Sequence, residues 1–470
     1  MKKTSLDKFP RCPYHQGSAF EKGSGVLYRD LTRGNITKTI LLFVLPMIAG
    51  NLLQQCYNIA DTLIVSWYLG PDALAAVGSS FTLMTFLTSI LLGLCMGSGA
   101  VFSIRFGRRD EAGLRESARA SFVLIAGLTV ALNLAAFLCL DGIRLFLRVS
   151  DGAIWALMRE YLAVIFWGIA ATFLYNYFAC YLRAIGDSVT PLLFLAVSAV
   201  LNIALDLWFV LGLGRGVAGA AEATVISQYV SGLGLGAVAL VRCPVLRPRR
   251  GDGPVRWARV REIASFYLLT CVQQSVMNLG ILMVQGLVNS FGDTVMAAFA
   301  AAVKIDAFAY MPVQDFGNAF STFIAQNFGA GRTDRIRRGI RSAVWLTTAF
   351  ALLVSALVFV GAPWLMSLFV SPSEAEIIAI GVEYLRIEGS FYVGIGYLFL
   401  LYGFYRAVAL PSMSVVLTVV SLGTRVLLAY LLASLPQVGY TGIWWSVPIG
   451  WALADVVGVW YFRSRRLLTR

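Results

Sequence analysis

Of 470 residues, 58% are hydrophobic and only 13% charged, with a mean hydropathy of +0.75. A soluble chain of this length carries roughly a quarter charged residues, so a water-soluble globular protein is excluded. The net charge of +13 would suit a nucleic-acid binder, but the order of the charges along the chain argues against one.

The tail, residues 1–35, is polar and basic and lacks the apolar core of a signal peptide. It holds Cys12 and the only histidine, His15. A metal site needs about four ligands and none stand nearby, so no metal and no cofactor is expected. Residues 36–241 then carry six apolar stretches, near 40–66, 74–104, 118–140, 160–180, 189–212 and 217–241. Each is long enough to cross roughly 30 Å of hydrocarbon as a helix, and backbone groups in lipid must satisfy one another, which makes them helices. A basic linker, 242–261, follows. Six more stretches fill 262–462, near 262–290, 294–325, 341–369, 383–405, 411–433 and 439–462, before a basic end at 463–470. Pro46, Pro312, Pro363 and Pro448 fall inside spans and predict kinks, either ordinary ones or bending points of a moving bundle.

Basic residues gather in every second gap: the tail, then Arg105, Arg108, Arg109 and Arg115, then the linker, then Arg332, Arg335, Arg337 and Arg338, then the end. That is the positive-inside pattern, with both termini cytoplasmic in a multi-pass plasma (inner) membrane protein. Nucleic acid is not an expected partner. The seven cysteines are scattered and read as buried thiols rather than a disulfide framework.

The chain repeats itself. At an offset of 222 residues Gly70 falls on Gly292 and Phe106-Gly107 on Phe328-Gly329; at 223, Glu160-Tyr161-Leu162 falls on Glu383-Tyr384-Leu385 and Arg183-Ala184 on Arg406-Ala407. Each half holds six spans, an even number, so both insert the same way round. The predicted fold is an all-α polytopic membrane protein of twelve transmembrane helices, in two six-helix bundles related by internal pseudo-two-fold symmetry. Such an architecture suits an alternating-access carrier.

The repeat also acts as a control on the polar residues. Asp61, in "YNIADT", falls on Met283, Asn202 on Arg425, Asp206 on Ala429 and Thr224 on Val447. An ionised carboxylate in hydrocarbon is costly, and the second half does without these groups. Asn202 and Asp206 in "LNIALD" lie four apart, on one helix face. If Asp61 and Thr224 converge on them, two carboxylates, an amide and a hydroxyl would suit a hard monovalent cation; two neighbouring buried carboxyls equally suit proton coupling. The alternative is that they are hydrogen-bonded structural residues. In the eighth span Lys304, Asp306 and Asp315 suit either an interhelical ion pair or a gate. "FGAGR" (Phe328–Arg332) lacks the Lys-Ser/Thr ending of a phosphate loop and reads as a cytoplasmic turn with its arginines at the headgroups.

"YNIADT", "FGRRD", "LNIALD", "GVAGAAEATVISQ" and "FGAGR", in this order on two six-span halves, resemble the multidrug and toxic compound extrusion (MATE) family over residues about 36–465. The resemblance implies a secondary antiporter that expels small amphipathic organic cations in exchange for sodium or protons. It implies coupling at Asp61, Asn202, Asp206 and Thr224, with Tyr57 and Asn58 lining the adjoining cavity; the polar Gln273, Gln274 and Asn278 of the seventh span are the further candidates for the substrate cavity. Other members also use second-bundle carboxylates around the seventh and tenth spans; here Gln273, Gln274 and Asn278 are neutral and the tenth span ends in Arg406, so no counterpart is found. Glu222 departs from the apolar residue expected between "GVAGAA" and "ATVISQ". The partners expected are small-molecule substrates and the lipid bilayer, with the protein a monomer. A major-facilitator-like carrier and a lipid-linked oligosaccharide flippase are the alternatives. An enzyme is not expected, because the spans contain no histidine and no convergent nucleophile and base.

Overall fold

A computed structural model describes residues 30–147, 152–247 and 257–465. The tail through Arg29, with Cys12 and His15, lies outside the described residues, as do linker residues 248–256 and the end from Leu467 with Arg466. Among the described residues every regular element is a helix.

The helices are α1 (Ile36–Leu69), α2 (Pro71–Gly107), α3 (Glu111–Leu138), α4 (Leu140–Leu147), α5 (Ala153–Ile165), α6 (Gly168–Ala184), α7 (Val189–Asp206) and α8 (Gly216–Arg242). They continue as α9 (Trp257–Asn289), α10 (Asp293–Gly329), α11 (Thr333–Ser367), α12 (Ala375–Gly389), α13 (Tyr392–Ala407), α14 (Pro411–Ala433) and α15 (Thr441–Ser464). Ten are long and apolar enough to cross a membrane, and the pairs α5–α6 and α12–α13 supply the fourth and tenth spans as helices bent by 46° and 51°. With each bent pair as one span, the described residues supply twelve spans, as the apolar stretches predict.

The repeat is visible in the turns and breaks. Gly70 and Gly292, at φ +86° and +95°, take the left-handed conformation that glycine tolerates; they precede α2 and α10. The bends fall after Ile165 and after Gly389, at matching places in the two halves. The helix breaks do not fall at the prolines. Pro46, Pro312, Pro363 and Pro448 sit inside the continuous helices α1, α10, α11 and α15, whereas neither bent pair contains a proline. The breaks lie instead where glycine (Gly168, Gly389) meets bulky aromatics (Phe166, Trp167, Phe391).

The chain forms two compact units. The N-terminal unit includes Leu45–Cys271, with α2 packed on α3, α5 and α6, and α8 on α5, α6 and α7. Its centre is aromatic, with Phe102, Phe122, Tyr177 and Phe178 meeting largely edge to face. The first half of α9 belongs here: a Cβ at Gly93 of α2 would lie 2.6 Å from the Cys271 Cα, so only glycine admits this approach.

The C-terminal unit comprises Leu31–Val44 and Val272–Arg470. In it α10 packs on α11, α12 and α13, and α14 on α15. At its core Phe299 stacks on Trp444, and Tyr384 meets both rings edge to face. Here the "FGAGR" turn differs from expectation, because its arginine bonds to protein. Arg332 Nη1 donates to the Thr32 carbonyl (3.0 Å), and Arg335 nearby donates to the carbonyls of Gly34 (2.8 Å), Arg33 (3.1 Å) and Leu31 (3.2 Å). Gln326 Oε1 accepts from the Leu31 N–H, and Asn327 Nδ2 donates to the Leu31 carbonyl. Residues 31–34, just ahead of α1, are clasped by their main chain.

Candidate cation site

The N-terminal unit brings the four predicted residues together from three helices. Asn202 and Asp206 project one turn apart from α7, which ends at Asp206. The next six residues, Leu207–Gly212, form a π-helix, a rare winding often found beside functional groups. Gly219 of α8 fits under Phe209 of that segment, where a Cβ would be 3.1 Å from the Phe209 Cβ, so α8 approaches closely enough to present Thr224. Asn202 Nδ2 donates to Thr224 Oγ1 (3.3 Å), and Thr224 Oγ1 donates to the Ala220 carbonyl (3.1 Å). From α1, the Asp61 carboxyl comes within hydrogen-bonding reach of the Asp206 carboxyl.

Neither carboxylate carries a donor when ionised, so that contact requires a proton or a cation between the oxygens. Asp206 is fully buried and Asn202 nearly so. Among the described residues no hydrogen-bond donor reaches either oxygen of Asp206, Oδ1 of Asp61 or Oδ1 of Asn202. Buried oxygens without a donor are costly, and these four, three on the paired Asp61 and Asp206 and one a helical turn away on Asn202, make a region of negative potential. The set is all oxygen, which fits a hard monovalent ion such as sodium; a proton shared by the two carboxyls satisfies the same geometry.

Tyr161 of α5, which the sequence reading did not single out, is buried beside Asp61, Asp206 and Tyr57 and feels their charges. Tyr57 hydrogen-bonds Gln54 and lies close to Asp61. Asn58 Nδ2 donates to Gln55 Oε1 (3.2 Å). Glu222, unexpected in its apolar context, pairs with Arg215 ahead of α8 (2.6 Å). That explains its presence as a tie across the first turns of the helix.

Gln273, Gln274 and Asn278 belong to the C-terminal unit; both glutamines are buried, and Asn278 donates to the Gln274 carbonyl of its own helix. Lys304 is exposed, while Asp306, two residues on, is buried and accepts a hydrogen bond from Tyr392 Oη (2.7 Å). Asp315 is buried. The expectation that the second half offers no acidic counterpart needs correction. Glu388 of α12, in the tenth span, is buried and interacts with Asp306 and with Arg425 of α14. Its signal was present in the sequence, an acid directly before the glycine that ends α12, but Glu383 and Arg386 beside it make the segment read as the wet edge of a span. Asp455 of α15 is a further intramembrane acid, with Oδ1 buried and without a donor.

The family model MatE matches residues 46–208 and again 269–431, two copies 223 residues apart, the offset read from the internal repeat. The chain is 30% identical to the "Probable multidrug resistance protein YpnP" of Bacillus subtilis (strain 168) over 395 residues, 83% of this chain and 87% of that protein. It is 25% identical to the "Probable multidrug resistance protein NorM" of Thermotoga maritima, over 91% of this chain and 90% of that one. Among solved structures, a MOP superfamily transporter from Pyrococcus furiosus superposes with a TM-score of 0.88 at 26% identity, over 95% of this chain and 100% of the other.

Proposed function

This chain belongs to the MatE family of multidrug efflux transporters, and from that premise we propose that it is a secondary antiporter exporting amphipathic organic cations in exchange for sodium ions or protons. The cluster of four donorless buried oxygens at Asp61, Asn202 and Asp206 carries the reading. A cation or proton there removes the repulsion between the two carboxyls and lets α1 and α7 stay together. Its departure leaves two buried charges facing one another, which drives the helices to rearrange. Thr224 holds Asn202 so that its amide oxygen is available to the ion. Coupling arises because the unit is stable in different arrangements with and without the ion. Alternating access completes the cycle, with both termini cytoplasmic and the protein a monomer.

The test is ethidium efflux from proteoliposomes under a sodium gradient alone and a proton gradient alone. One of the two drives the wild type, and Asp61→Asn and Asp206→Asn each lower that flux at least about tenfold, since breaking a buried charged partnership costs about 1.5–3 kcal/mol or more. Full coupling in both variants overturns the site.

A further inference from the structure

The C-terminal unit carries three ionisable residues where the N-terminal half has none. Asp306, Glu388 and Arg425 correspond, by the repeat, to Met84, Ile165 and Asn202. They come from α10, α12 and α14. The Arg425 guanidinium interacts with both carboxyls, and the carboxyls with one another. Tyr392 donates to Asp306 (2.7 Å) and Tyr384 bonds to Glu388. Glu388 is 1% exposed, yet its Oε1 has no hydrogen-bond partner, and neither has the buried Nε of Arg425.

A structural Arg–carboxylate bridge in a buried setting makes a fork of paired hydrogen bonds, because desolvation outweighs Coulomb attraction when the fork is incomplete. Arg425 leaves its Nε unpaired beside an acid that leaves an oxygen unpaired. It acts here through its charge. The same helix position in the other half is a neutral amide, so the fold itself does not demand a cation there. The acids and the guanidinium go together.

We propose that Arg425 is a tethered cation: it takes one of the two monovalent-cation places that Asp306 and Glu388 would otherwise offer, and so sets the number of ions exchanged per transport cycle. The inference rests on the antiporter reading above. Two carboxyls facing Asn202 leave the N-terminal site with both charges to be met from outside. Two carboxyls facing Arg425 leave only one.

Ion number is read from ethidium accumulation in proteoliposomes at clamped zero membrane potential, as the slope of log accumulation ratio against log gradient of the coupling ion. Arg425→Asn raises the slope by one ion and Arg425→Lys keeps the wild-type slope. Glu388→Gln lowers it by one, and Glu388→Gln with Arg425→Asn restores it, a comparison that holds even if Arg425→Asn alone does not fold. A wild-type slope in Arg425→Asn, or a double variant equal to Glu388→Gln, overturns the proposal. A wild type without gradient-driven flux overturns the antiporter reading instead. The same variants are then compared by equilibrium binding of radioactive sodium and by proton release in detergent, where unchanged counts overturn the role of Arg425.

Discussion

Thr224 gives its one proton to the Ala220 carbonyl, so toward Asn202 its hydroxyl can only accept. That single acceptor turns the Asn202 amide so that its oxygen, not its nitrogen, is left without a partner in the cluster. Thr224→Val removes the acceptor at nearly constant volume, and a net hydrogen bond of about 1 kcal/mol corresponds to roughly a fivefold change. The expected outcome is a roughly fivefold rise in the ion concentration that half-saturates efflux, with Thr224→Ser close to wild type. Equal values for the Val and Ser variants would remove Thr224 from the site. At this scale the sequence was informative where residue type was anomalous. Asp61 and Asp206 stand out in apolar stretches, and the four-residue spacing ties Asn202 to Asp206. Tyr161 gave no such signal, because a tyrosine in an apolar helix looks like any core aromatic until its neighbours are known.

Among the elements, the turn between α10 and α11 shows how a motif can be located correctly and misread. Its arginines were expected at the headgroups, yet Arg332 and Arg335 bind the main chain of residues 31–34. Partners about 300 residues apart leave no periodic trace in a sequence. The Arg335 fork also meets Asn327 Oδ1 (3.2 Å), and Leu31, Gln326 and Asn327 are buried. Arg335→Ala removes the donors of the half-buried bonds to the Leu31 carbonyl and Asn327 Oδ1 and of the exposed bonds to the carbonyls of Arg33 and Gly34, a loss of about 1–2 kcal/mol, so the variant should melt a few degrees lower in a fluorescence-detected thermal shift. Arg335→Lys cannot reproduce the planar fork and should fall between the two. An unchanged melting point in Arg335→Ala would show that the clasp contributes nothing. The helix breaks carry the same lesson: proline is a local signal, whereas the two observed breaks lie at Gly168 and Gly389 beside aromatic residues.

For the whole molecule, the duplication and the compact units divide the chain by different criteria. The repeat is a property of the sequence, whereas the units follow packing, and packing divides α9 between Cys271 and Val272. Val260, Ile263 and Tyr267 of α9 are buried in the N-terminal core, and α2 offers Gly93 and Gly97 to the α9 backbone. A fragment ending at residue 289 should therefore run as a monodisperse peak in detergent and melt higher than one ending at residue 247. Indistinguishable profiles would mean that α9 adds nothing to that unit. The sequence by itself determined the membrane class, the twelve spans, the internal repeat and the identity of the four polar residues in the first half. Apolar length, charge order and self-similarity are one-dimensional properties, legible without contacts. Only the tertiary structure decided that Asp61 meets Asp206, that four buried oxygens lack a donor, and that Arg425 answers two acids in the second half. Those facts depend on which faces of distant helices meet, and side-chain packing, not spacing along the chain, selects the faces.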